Sequence, residues 1–358
     1  MKRIATVVLA AAMAWSLTAC GTEAEQAAPE TSAAAQGQEA ASTERVDAGS
    51  IEAPSSPERY SLGGGSSGGN FYLVGGGIAT TLNNALPDYF VITSEETGGS
   101  TANLTMLQNG DIEMGISMTS SMSEAWEGVA EWTGGPMDKL RGMVPLYPSY
   151  LTMYALKSSG ITTLDDFNGR IVGLGSMGAA MDSIFREALP AMGINPSAIF
   201  NDGHGATATA VSDGQIDAAL LFSLPPFAAI TELEATQELS FIGLTKEQQD
   251  YLVNTYPFYS ADVMPGGSCA GQPEDLDVVS EWNMLVTSSE VPEDYVYLMT
   301  KTMFESTAAL EEVYKGMSFC TPENCVNFNI PLHTGVIRYL EEVGVEVPEA
   351  LIPPEYAG

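Results

Sequence analysis

The chain has 358 residues, 45% hydrophobic and 16% charged, with 46 acids against 13 bases and a formal net charge of −33. Such a field excludes nucleic acid, whose binding needs basic stripes, and excludes docking of the bare body on anionic lipid. It suits a surface kept soluble where salt screens self-repulsion, which points to a halophilic source.

The chain starts on a basic MKR, runs through an apolar stretch and reaches LTAC at Cys20. This is a secretory signal over residues 1–20, too short and too early for a permanent span. Leu17, Thr18, Ala19 and Cys20 resemble the lipobox of bacterial lipoproteins, so Cys20 is expected to carry lipid and to anchor an extracytoplasmic protein. Residues 21–59 are Ala, Glu, Gln, Ser, Thr and Pro with almost no large apolar groups, and read as a disordered acidic tether. What remains is long enough for two domains.

The body opens with a short strand, Tyr60 to Leu62, running into the glycine loop GGGSSGG. Phe71, Val74, Ile78 and Leu82 then recur at helical spacing. FVIT is a strand, Ser100 is placed to cap the helix TANLTMLQN, Gly110 stops that helix, and DIEMGIS is the next strand. The plan returns further on. A strand from Arg170 to Leu174 precedes GLGSMG, a helix MDSIFREALPAMG follows, another helix ends at Gly214, and QIDAALLF is a strand. LQNGDIEMGI and VSDGQIDAAL share one design: a helix stops at Gly, and an Ile precedes an acid at the start of a buried strand. Each half is therefore expected to be a small α/β unit with its glycine loop at the carboxyl ends of its strands, where ligands of such sheets sit.

The candidate chemistries narrow quickly. Gly64 to Gly68 satisfies G-x-S-x-G, but a nucleophile elbow needs sheet strands before it and only the tether precedes Tyr60. His204 and His333 are the only histidines; His333 reads as a turn residue, and His204, able to reach a cleft, has no orienting acid at recognisable spacing. A P-loop needs GK[ST], and no Lys or Arg lies between Arg59 and Lys139. Gly173, Gly175 and Gly178 fit a dinucleotide fingerprint, but the acid that should follow is missing. Cys320 and Cys325 are spaced to close a small disulfide loop, leaving Cys269 free, and no metal-ligand set or cofactor motif is present. Trp126 and Trp132 do not share a helix face and read as packing.

Non-covalent capture is what survives. Ser66, Ser67, Asn70, Ser100 and Asn103 are small donors around glycine-rich backbone, suited to a carboxylate. Tyr72, Phe222 and Tyr259 are candidates for cleft walls.

At this point LGGGSSGGNFYLVGGGIATTLN and ETGGSTANLTMLQNGDIEMGIS resemble the signatures of the TAXI class of solute receptors, the extracytoplasmic components of certain tripartite ATP-independent (TRAP) transporters. LRGMVPLYPSYLTMYAL, TLDDFNGRIVGLGSMG, TYPFYSADVMPGGS and NIPLHTGVIRYLEEVG are similar to further stretches of that family, in order, from Tyr60 to Gly344. The resemblance implies an α/β, two-domain periplasmic-binding-type (type II) fold with a central cleft and hinge, no catalysis, a small organic anion or amino acid as solute, and a TRAP-type permease as partner. The domains are expected at 60–148 with 265–358, and at 149–264, with crossings near Tyr147 to Tyr150 and Ser260 to Pro265. By position, Ser67, Tyr72, Ser100, Asn103 and Arg141 match residues of the family's signatures, and Tyr259 matches an aromatic near its cleft.

The chain departs from the family pattern in three places. Met118, followed by Thr119, stands where many members have Gln. The second loop reads MGAAM and keeps Ser176 as its hydroxyl, and Cys269 replaces a common aromatic. Met118, Met177 and Met181 are expected to form an apolar patch suited to a less polar acid. An exported serine hydrolase using the GGSSG loop and a structural lipoprotein without a ligand are the competing classes.

Overall fold

The computed structural model describes residues 45–65, 69–177 and 179–356. The signal segment, Cys20, most of the expected tether, Ser66 and Ser67 lie outside the described residues. From Arg45 onward the tether expectation fails. Val46 N–H bonds the Ala85 carbonyl at 3.4 Å, the Tyr89 hydroxyl donates to the Ile51 carbonyl at 2.6 Å, and Val46, Ala48 and Ile51 pack on the core. These three side chains supply the apolar area that composition averaged over a longer window conceals.

The first half follows the expected alternation: β1 (Glu58–Gly63), α1 (Asn70–Ala85), β2 (Phe90–Glu95), α2 (Ser100–Asn109), β3 (Met114–Met118) and α3 (Thr119–Glu127). Val74, Ile78 and Leu82 form the buried stripe of α1. A 17-residue strand, β4 (Leu140–Leu156), then leads into the second half. That half contains β5 (Ile171–Gly173), α4 (Ala180–Ala191), β6 (Ala198–Phe200), α5 (His204–Ser212), β7 (Ala218–Ser223), α6 (Ala228–Glu234), β8 (Leu239–Ile242), α7 (Lys246–Thr255) and β9 (Ser260–Met264). The chain returns through β10 (Leu276–Ser288) and closes the first half with α8 (Glu293–Glu305), α9 (Thr307–Val313) and α10 (Thr334–Glu342).

The hydrogen-bonded strand order is β2-β1-β3-β10-β4-β7-β5-β6, with β8 on β4 and β9 on β10. Parallel ladders join β1 to β2 and β3 in one half and β5 to β6 and β7 in the other. The two halves are thus α/β units of one plan joined by long antiparallel strands, a two-domain periplasmic-binding-protein-like fold with a cleft between them.

The return crossing is not at Ser260 to Pro265 as expected. Ser260 to Met264 form β9, which pairs with Leu276 to Ser280 of β10, whereas Asn283 to Thr287 pair with β3. Strand β10 therefore passes between the halves at Ser280 to Asn283, beside Tyr147 to Tyr150 of β4. Pro148 breaks the ladder there, and Asn283 Nδ2 compensates by bonding the Tyr147 carbonyl at 2.9 Å and Ser149 Oγ at 2.8 Å.

The internal repeat is explicit in the hydrogen bonds. Glu113 Oε2 takes the Ser61 N–H at 2.8 Å, and Asp217 Oδ2 takes the Ile171 N–H, also at 2.8 Å. In each case the acid before the buried strand pins the first strand of its half. Gly110 and Gly214 both sit in the left-handed region, at φ 79 and 68, where a side chain would be strained.

The expected disulfide is absent: Cys320 and Cys325 are free, buried thiols, as is Cys269. Cys320 closes one 3-10 turn while Cys325 lies inside the next, both packed in the first core. His333 is a helix cap rather than a turn residue. Its Nδ1 accepts the Gly335 N–H at the start of α10 and its Nε2 faces the Val291 carbonyl at 3.0 Å.

Candidate functional site

A cavity of about 240 Å³ lies between the two halves. The first half lines it with Gly98, Ser100, Thr101, Met118, Ser120 and Ser121, and the second with Leu174 to Ser176, Ala179 to Met181, His204 and Phe222. Glu281, on the crossing strand β10, completes it. A larger, shallower depression of about 560 Å³ lies on the outer edge of the second half, around Lys157, Glu238 and Gly271, away from both glycine loops.

Four helices begin at the cavity. Ser100 and Thr101 open α2, Ser120 and Ser121 follow the first residue of α3, Ala180 and Met181 open α4, and His204 opens α5. None of the four has an N-cap residue whose own side chain accepts a bond from the first turn, although α3 gives its Ser120 N–H to the Glu281 carboxylate of β10. The two helices whose N-caps accept through a side chain, α7 at Thr245 and α10 at His333, start elsewhere. The first N–H groups of a helix lack intrahelical partners and carry a partial positive charge. Helix N-termini favour negative charge without help from a cationic side chain, and the lining holds no Lys or Arg, His204 being its basic group.

Glu281 is the exception in this field. It is 2% exposed, and its Oε2 accepts the Ser120 N–H at 3.2 Å. Burial pushes its carboxyl up to about 7, against hydrogen bonding from Ser120, while the neighbouring Glu124 adds to the rise. Glu124 is itself raised by burial and takes the Trp132 indole N–H at 3.0 Å. His204 keeps solvent-exposed surface but stands within the cleft walls, edge-on to Phe227 at 5.7 Å between centroids, and desolvation lowers its imidazole pKa.

Of the residues singled out from the sequence, Ser100, Ser176 and Phe222 line the cavity. Ser100 is not a helix cap: Gly99 holds that position, and Ser100 Oγ accepts the Met118 N–H at 3.2 Å, tying α2 to β3. Met118 and Met181 meet at the cavity, but Met177 is 80% exposed and outside it.

The others are placed differently. Asn103 is fully buried, its Nδ2 shared among the carbonyls of Gly63, Gly64 and Ile116 at 3.0, 2.7 and 2.8 Å. It locks the glycine loop instead of facing a solute. A Cβ on Gly63 would come within 2.4 Å of Asn103 Oδ1, so this position requires glycine. Thr119 is buried, with Oγ1 accepting from Trp282 N–H. Asn70 Nδ2 donates to the Tyr314 hydroxyl, which donates onward to the Leu224 carbonyl. Tyr72 is 44% exposed on α1 and does not line the cavity. Tyr259 stacks behind Phe222 at 5.2 Å as a buried second layer.

Arg141 is a correction. Its guanidinium holds Glu355 through Nε at 2.7 Å and Nη2 at 2.9 Å, and Nη1 bonds the Asp138 and Leu140 carbonyls. It lies opposite Thr287 at the far end of β10 and packs over Trp126, 5.9 Å from the ring. The charge is fully engaged in structure.

Glu281, Ser120 and Ser121 were missed by sequence reasoning. The available signal was an acid set inside the apolar run VVSEWNMLV, where a buried strand has no structural use for it.

A family model described as the NMT1-like family matches residues 62–344. Among solved structures, similarity is found to a chain from work on glutathione import via GshT and the cystine ABC importer TcyBC of Streptococcus mutans, at 12% identity over 73% of this chain and 95% of that one, with a TM-score of 0.48. The periplasmic aliphatic sulphonate binding protein SsuA from Escherichia coli aligns at 14% identity over 81% and 80%, with a TM-score of 0.46. An ancestral arginine-binding protein bound to arginine aligns at 12% identity over 72% and 96%, with a TM-score of 0.44.

Proposed function

The chain belongs to the NMT1-like family, and from that membership and the cleft we propose that it is an extracytoplasmic receptor that captures a small organic acid or amino acid without turning it over. The observation that carries this reading is the meeting of four helix N-termini at one cavity between the halves, none capped by the side chain of its own N-cap residue and only α3 met by Glu281. A carboxylate held by such donors gains charge-assisted hydrogen bonds worth roughly 1.5 to 3 kcal/mol. That is enough to act against the screened negative field of the whole chain. The halves close on the solute by bending at the two strand crossings. The resemblance of the signatures adds the finer reading: a TAXI-class receptor, lipid-anchored through Cys20, that hands its solute to a TRAP-type membrane permease.

The test is calorimetry with glutamate, glutamine, 2-oxoglutarate and succinate, alongside assays for turnover of ester and peptide substrates. Saturable binding without product supports the receptor. Turnover that depends on Ser66 or Ser67 supports the hydrolase in its place, and no heat with any of the acids rejects an organic-acid site.

A further inference from the structure

The cleft contains a group that works against the anion it is built to hold. Glu281 sits in the wall of the cavity, 2% exposed, and among the described residues Ser120 is its only hydrogen-bond partner. No Lys or Arg lines the cavity to balance it. The titratable groups around it offer no balance either. Glu124 faces it from α3, Tyr259 lies behind it just before β9, and Tyr147 and Tyr150 flank its register partner Ser149 on β4. His204 looks across the cavity from α5, in a setting that favours its neutral form.

Two carboxylates confined in one dry site do not both stay ionised; one takes a proton. An incoming organic anion has the helix N-termini to stabilise its charge, whereas Glu281 has a single backbone N–H and the Ser120 hydroxyl. Glu281 is therefore the group that yields.

We propose that Glu281 takes up a proton from solvent when an organic anion enters the cleft, so that the receptor binds the anion and a proton together. The step balances simply. The Glu281 carboxylate gains one proton and becomes a neutral acid, its O–H donates to the carboxylate of the bound anion, and the net charge of the loaded cleft is that of the anion alone. An O–H donor to a carboxylate makes a short, strong hydrogen bond, so the protonated side chain becomes part of the binding surface. Glu281 is thus a specificity-determining residue: it favours acids that leave it room to protonate. This inference rests on the reading of the cleft as an organic-acid site.

The experiment is titration of the full soluble chain with 2-oxoglutarate and succinate, and with glutamate for comparison, in phosphate and in Tris at pH 8. The difference in apparent heat between buffers counts protons. The expected result is uptake approaching one proton per bound 2-oxoglutarate or succinate, with affinity falling about tenfold per pH unit above neutrality. In Glu281→Gln, uptake is expected to vanish and the pH dependence to flatten. Binding of these anions with no proton uptake by the wild-type chain overturns the proposal. So does uptake that survives Glu281→Gln, or binding confined to glutamate with Glu281 left ionised against its ammonium group. If none of the three probes binds, the organic-acid reading itself falls, an outcome distinct from binding without a proton.

Discussion

The two halves carry the same scaffold and different walls. In each, a helix ends at a left-handed glycine and the acid that follows pins the first strand, Glu113 to Ser61 and Asp217 to Ile171. Each first strand also ends on a glycine pressed by a side chain from the facing helix, Gly63 by Asn103 and Gly173 by the Thr207 methyl. Here they diverge. Asn103 ties three carbonyls, whereas Thr207 offers one long bond, at 3.3 Å, to the Asp202 carbonyl. The first wall presents the hydroxyls of Ser100, Thr101, Ser120 and Ser121; the second presents Leu174, Ala179, Ala180, Met181 and Phe222, with Ser176 and His204. Repetition keeps the glycine stop, the pinning acid and the glycine at the strand end, and leaves the side chain that packs on that glycine and the lining of the cavity free to change.

The sharpest way to break the comparison is at its most unequal pair. Asn103→Ala takes its side-chain donor from the Gly63, Gly64 and Ile116 carbonyls, of which Gly64 keeps the Thr97 hydroxyl at 3.1 Å. At about 1 to 2 kcal/mol for each of the other two, with the cavity left by the amide added, it is expected to lose about 4 kcal/mol in urea unfolding.

Next in size is the pH dependence of Glu281, which belongs to neither wall. Its folded value, near 7, lies above the ordinary 4.5. Folding therefore costs nothing extra below 4.5, and stability falls as pH rises to about 7. The full effect is about 3 kcal/mol. His333 does the reverse: its value is depressed from 6.5 to about 4 by burial, so its contribution is lost as pH falls through that window. The two slopes offset each other between these limits in the wild type. Glu281→Gln should leave the His333 slope alone and be the more stable chain at pH 8, by thermal unfolding across pH 4 to 8. A variant profile that matches the wild type would contradict the Glu281 assignment, and a variant with no slope between pH 4 and 6.5 would contradict that of His333.

Arg141→Ala is expected to cost about 2 kcal/mol of stability, since Glu355 is left near solvent and can hydrate. Calorimetry should find affinity for any bound acid unchanged, which separates the structural ion pair from the cleft. The smallest effect belongs to the weaker lock: Thr207→Val keeps the methyl against Gly173 and should cost about 0.5 kcal/mol.

The halves were legible in the sequence because their signals are local. Helical spacing in α1, glycine stops and the repeated acid before a buried strand each fit within a dozen residues. The connecting strands were not. In β4, Pro145 and Pro148 lack the N–H that a ladder needs, yet the strand continues because β10 shifts register between Asn283 and Met284 and lends the Asn283 side chain to the Tyr147 carbonyl. That repair comes from a residue far along the chain. The site divides in the same way. Ser100 and Ser176 lie beside their glycine loops and were found, whereas Glu281 reaches the cavity only because β10 crosses there. Arg141 and Asn103 looked like ligand donors because a donor's chemistry is the same whether it holds a solute or a carbonyl, and burial alone decides which.

The central claim is that solute binds in the cavity between the halves. Ser176 is exposed on the second wall and has room for a larger side chain at little cost to folding, so Ser176→Trp tests that claim most directly. The account predicts that calorimetry finds a saturable acid for the wild-type chain and at least a tenfold weaker affinity for the variant at unchanged melting temperature. Undiminished binding by the blocked cleft would contradict it.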